Sequence, residues 1–147
     1  MKRFAAHLKK GAMRKSSPDF SRARSLMQEA EKRKTFLDII LRKTGVSELN
    51  ANYCIEQAYD VLIELIRAIL HMEGYNSPDG ASHEAEVSYL LELQFSYADA
   101  VFMDDLRYHQ DQIKRHGRSY DVEYATKALT FLKNMHRRLK MIISTRI

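Results

Sequence analysis

The sequence predicts an all-α fold: an up-and-down antiparallel bundle of four long helices plus one short helix. Three observations predict it. Apolar residues recur every three to four positions through most of the 147 residues. The five glycines and two prolines sit between these periodic segments rather than inside them. No stretch alternates apolar and polar residues as a half-buried strand would. The length suits one domain, 18–147, preceded by a flexible basic arm at 1–17.

Within the arm, Phe4, Ala5 and Leu8 offer one weak amphipathic turn before Gly11. Ser17-Pro18-Asp19 then opens the first long helix. Ser17 can accept from free amides, Pro18 fits the first helical position, and Asp19 favours the positive end of the dipole. Phe20, Ala23, Leu26, Ala30, Phe36, Leu37 and Leu41 form its apolar stripe, and Gly45 ends it. Ser47 caps the second helix, which runs from Leu49 to Glu73 with an apolar arc wide enough to be packed on several sides. Gly74 stops it, and residues 76–80 form a turn-rich loop.

The short helix starts after Ser82 as cap, with Glu84 and Glu86 in its first turn. A further helix begins near Tyr97 and turns basic and histidine-rich from Arg107 to Gly117. Ser119 caps the last helix, whose apolar face includes Val122, Ala125, Leu132, Met135, Leu139 and Ile143.

The net charge of +5 conceals an asymmetry. Residues 1–17 carry six Lys/Arg and no acid, 18–106 carry eight against sixteen acids, and 107–147 carry ten against three. Basic ends around an acidic middle can steer a polyanion or orient two subunits. No run approaches the length of a membrane span, and the basic N-terminus lacks the apolar region of a secretory signal. One cysteine, Cys54, precludes an internal disulfide and reads as a buried thiol. A cytoplasmic protein with no membrane contact is the expectation.

The polar stretch from Tyr97 to Tyr120 carries the best chemical candidates. His109 and His116, seven residues apart on one helix, share a face, and imidazole exchanges protons near neutrality. Arg107, Lys114, Arg115 and Arg118 can hold phosphate through charge-assisted hydrogen bonds. Asp104 and Asp105, one turn before His109, can orient its ring. Arg67 and His71 form an i, i+4 pair in the second helix, with Glu64 placed to pair with Arg67. The six histidines show no metal-ligand spacing, and there is no phosphate-cradling glycine loop or dinucleotide fingerprint, so no metal and no cofactor is expected.

The order of these segments resembles the HEPN superfamily, the higher eukaryote and prokaryote nucleotide-binding domains. CIEQAYDVLIELIRAILHMEG resembles its long central helix and NSPDGASHEAEVSYL its following loop and helix. DLRYHQDQIKRHG resembles its late polar motif, and SYDVEYATKALTFLKNM its closing helix. The resemblance implies a helical bundle, a homodimer, RNA or nucleotide as ligand, and a small nucleotidyltransferase-type partner of the toxin–antitoxin kind. Some members cleave RNA without metal through an Arg and a His with four to six residues between them. Here His116 fits the histidine and His109 an auxiliary role, but eight residues separate Arg107 from His116, and no Arg stands at 109, 110 or 111. Binding or partner duty therefore ranks first. A metal-independent endoribonuclease using His116 is one alternative, and a non-catalytic structural or regulatory helical protein is another. Whether the chain is an enzyme stays open.

Overall fold

The structure, a computed structural model, describes residues 1–78 and 83–147. Its elements are α1 (Phe4–Lys10), β1 (Arg14–Lys15), α2 (Phe20–Thr44), α3 (Ala51–Glu73), β2 (Tyr75–Asn76), α4 (His83–Glu92), α5 (Tyr97–His116) and α6 (Val122–Ser144). The fold is mostly helical, as the sequence reading expects, with α2, α3, α5 and α6 long and α4 short, but the described residues hold six helices rather than five because α1 is added. The Ser82 cap, and residues 79 and 80 of the turn-rich loop expected before it, lie outside the described residues.

Helix α3 is the axis of the molecule. Its apolar positions leave almost no exposed side, and it packs against α2, α4, α5 and α6. Ile55, Leu62, Ile63, Leu65, Ile66, Ile69 and Leu70 are all essentially inaccessible, each stabilising the fold by about 1.5–3 kcal/mol relative to exposure. Helix α2 lies antiparallel to it: the Asp19 amide donates to the His71 carbonyl at 2.8 Å, and Arg33 meets Glu64 at 2.8 Å. Helix α6 runs parallel to α3, since Asn52 binds the segment before α6 while Glu73 pairs with Arg146 just after it. Helix α5 runs antiparallel to α6, joined by Asp99–Arg138 at 3.0 Å.

The residues read as a mobile arm are packed down. Phe4, His7 and Met13 are buried. The Phe4 ring stands edge-on to Tyr75 at 5.1 Å and lies 4.7 Å from Tyr89. Strand β1 pairs antiparallel with β2, Arg14 opposite Asn76 and Lys15 opposite Tyr75. Two buried apolar anchors, Phe4 and Met13, outweigh a basic composition that by itself suggests disorder. The clip depends on Gly74, whose carbonyl accepts from the Ser16 amide. Its φ is +84°, and an added Cβ would stand 2.3 Å from the Ser16 carbonyl oxygen, so both conformation and space demand glycine.

Helix ends follow local chemistry, with small shifts from the sequence reading. Asp19, not Ser17, caps α2 by accepting from the Arg22 amide at 2.9 Å. Asp121, not Ser119, caps α6 by accepting from Tyr124 at 2.8 Å. Ser96 caps α5, after a turn in which Gln94 takes a φ of +68°. Among the described residues no helix is long and apolar enough to cross a membrane.

Candidate functional site

The seven-residue spacing works twice along α5. It places His109 and His116 on the face toward α6, and Arg107 and Lys114 on the face toward α3 and α4. The site residues of the sequence reading therefore divide between two polar regions.

On the α6 side, His109 sits in a layer of rings. Its imidazole stands edge-on to Tyr120 and Tyr124, both at 4.8 Å, and to Tyr108 at 5.3 Å. Its Nδ1 shares a 2.5 Å hydrogen bond with the Tyr120 hydroxyl. Burial, reinforced by the Arg118 charge and opposed by Asp105, lowers its pKa from 6.5, so the ring is neutral at neutral pH. The layer continues through Tyr124 to Phe102 at 6.2 Å and from Phe102 to Phe131 at 4.5 Å. The Tyr124 hydroxyl is buried with no hydrogen-bond partner among the described residues, and burial, with Asp105 and Tyr120 nearby, pushes its pKa up to about 12. An unpaired buried hydroxyl costs about 1–3 kcal/mol.

The elbow between α5 and α6 holds the remaining predicted cations. Gly117 turns the chain in the left-handed region at φ +61°. Arg118 lies over the Tyr120 ring at 4.8 Å and has no ion-pair partner among the described residues. Asn52, in the first turn of α3, fixes this loop as a strand neighbour would: its side-chain amide donates to the Arg118 carbonyl at 2.8 Å, and its oxygen accepts from the Tyr120 amide at 3.0 Å. His116, the last residue of α5, is exposed and makes no hydrogen bond, ion pair or ring contact with a described residue. His109 and His116 thus share a face without meeting. Arg115 is tied to Asp111 at 2.7 Å.

On the other side of α5, Arg107 pairs with Asp104 at 2.8 Å. Asp104 therefore does not orient His109; Asp105, exposed, acts on that ring through charge alone. Arg67 pairs not with Glu64 but with Glu86, whose carboxylate it grips at 2.7 and 3.1 Å. Glu64 goes to Arg33 instead. Nη2 of Arg67 also lies 3.1 Å from His83 Nε2. Guanidinium can only donate, so His83 Nε2 accepts, and the proton sits on Nδ1, which donates to the Tyr59 hydroxyl at 3.0 Å. Burial first, then the Arg67 charge, lowers the His83 pKa. Lys114 is exposed without an ion pair, close enough for its charge to act on Glu56 and His83. Gln110, 5% exposed, donates to Asp60 at 2.8 Å and to the Glu56 carbonyl at 3.1 Å. His71 stands apart, near Arg22 and Asp19, and burial lowers its pKa.

Sequence reasoning missed Asn52, Tyr59, Tyr120, Tyr124 and Glu86. Tyrosines at helical spacing read as core, and a lone Asn at a helix start reads as a cap. Only the convergence of α3 with the α5–α6 elbow gives them these partners. No cluster of His, Cys, Asp and Glu among the described residues could hold a metal ion. Cys54 is buried, and burial raises its thiol pKa. No family model, no curated protein and no solved structure matches the chain.

Proposed function

We propose that the chain is a HEPN-like module that binds single-stranded RNA or a nucleotide at the α5–α6 elbow. The observation that carries this reading is Arg118, which has no ion-pair partner among the described residues and lies over the Tyr120 ring at the edge of an aromatic layer. Rings with an open face stack bases regardless of sequence, and an unpaired guanidinium beside them meets phosphate. Exposed Tyr108 (49%) extends the platform, and His116 adds a hydrogen-bonding group at its edge. A homodimer and a nucleotidyltransferase-type partner in a toxin–antitoxin pair belong to the proposal through the family resemblance.

Fluorescence anisotropy with a labelled single-stranded RNA tests it. Tyr120→Ala weakens binding by about 1–3 kcal/mol, the range for losing one stacked base. Arg118→Ala lowers the slope of log affinity against log salt by about 0.7, one phosphate contact to a single strand. Wild-type affinity and slope in both variants would end the proposal.

The second reading, metal-independent RNA cleavage, is favoured by the exposed imidazole of His116, which makes no hydrogen bond or ion pair with a described residue. It requires cleavage that persists in EDTA and disappears in His116→Ala.

A further inference from the structure

The bundle separates its charges by helix. Helix α2 carries seven Lys/Arg against three acids and α6 five against one, while α3 has one against four, α4 none against three and α5 three against four. The two basic helices flank α3 and meet through one carboxylate. Glu31 of α2 accepts from His136 at 3.1 Å and from Lys140 at 3.0 Å, both on α6.

That bridge fixes which cations share the seam. Arg24 lies seven residues before Glu31 and Arg42 eleven after, both on the face of α2 turned toward α6. Lys32 adjoins them on the solvent side. Lys133 and Arg137 lie seven and three residues before Lys140, on the seam side of α6. All six are exposed. Apart from Lys140, none has an ion-pair partner among the described residues. The two acids of the seam are already committed, Glu31 as above and Asp38 to Lys34 at 2.8 Å.

We infer that the α2–α6 seam is a second binding surface, one that takes the phosphate backbone of duplex RNA. Protein interfaces are depleted in lysine and need an apolar centre. This seam is lysine-rich, with Ser25, Gln28, Thr35, Thr130 and Asn134 exposed between its cations; its apolar surface includes Phe20 and Phe36 on α2 and a narrow groove of Met27, Leu65 and Ile143 beside the bridge. Its exposed rings, Phe20 and Phe36, lie sixteen residues apart on one helix and make no ring contact with a described residue, so the cations dominate the surface, which suits a backbone read by charge and shape rather than splayed bases. Arg24 to Arg42 spans about 27 Å of helix, so the track is long enough for several successive phosphates. The inference rests on the elbow reading only for the class of ligand, since the two surfaces share no residue.

The test compares a blunt RNA duplex of about 20 base pairs, longer than the track, with a short single strand. The seam variant is Lys32→Glu with Lys133→Glu and Arg137→Glu; the elbow variant is Arg118→Ala with Tyr120→Ala. A milder seam variant with Gln at the same three positions guards against misfolding, and circular dichroism checks all three. The expected result is at least a tenfold loss of duplex affinity in the Glu variant, with the salt slope smaller by about 1 for each phosphate contact removed. The Gln variant shows a smaller loss in the same direction, and the elbow variant binds duplex as wild type does. Duplex binding by either folded seam variant equal to wild type overturns the inference. So does wild-type protein that ignores duplex but sediments with phosphatidylserine vesicles, which would make the surface a lipid contact. Loss of single-strand binding in the elbow variant alone bears on the elbow and leaves the seam standing.

Discussion

On the α4–α5 side of α3, Arg67 and Arg107 each hold a carboxylate within 2.8 Å. On the α2–α6 side, Arg24, Lys32, Arg42, Lys133 and Arg137 hold none among the described residues, although the chain has nearly as many acids, nineteen, as its twenty-four Lys and Arg. A cation that is desolvated beside an acid is part of the fold. A cation left in water with its charge uncompensated is available to something else. The contrast separates side chains that look alike in sequence, and it moves one of the four predicted phosphate ligands, Arg107, to the structural side.

The largest expected effect comes from breaking a committed pair. Glu86 is 7% exposed, and Glu86→Ala leaves Arg67 without its carboxylate, costing about 3–5 kcal/mol in urea unfolding. Arg137→Ala, on the uncommitted side, changes stability by less than about 0.5 kcal/mol. Similar losses at the two sites would erase the distinction. A smaller effect is expected at the elbow: Asn52→Ala removes two hydrogen bonds to the 118–120 loop and costs about 1–3 kcal/mol, with faster amide exchange at Tyr120.

The smallest effect is a pH dependence. Burial lowers the pKa of His7, His71, His83, His109 and His136 below 6.5. For His136 this holds despite Glu31, so that contact is a hydrogen bond from a neutral ring rather than an ion pair at neutral pH. The unfolded chain takes up these protons first. Stability is therefore full above 6.5 and falls as acidification proceeds from 6.5 through the lowered values. Melting temperature should decline over that window, and neutral substitutions at Lys32, Lys133 and Arg137 should leave the profile unchanged. A flat profile would mean that the imidazoles are not buried as described.

The sequence made the long helices legible because their apolar spacing, and the glycines at 45, 74 and 117, are local signals. Leu26, Ala30 and Leu37 are buried as the period requires, but Phe36 is 57% exposed, because a stripe two residues wide overshoots the face that α3 covers. The N-terminal packing was not legible: Phe4 finds its partners, Tyr75 and Tyr89, far along the chain. Side-chain pairing within the candidate site was legible only as proximity on one helix. His109 and Arg107 are two residues apart, yet they face different neighbours, and Glu86 and Asn52 acquire meaning only when separate helices meet.

Gly74 sets a sharp condition on all of this. A single hydrogen in place of a methyl group allows residues 14–16 to lie against the end of the central helix. With any side chain there, the terminal segment would have to leave that position rather than adjust within it. Attachment of the first helix is thus a near-binary property governed from a residue about sixty positions away.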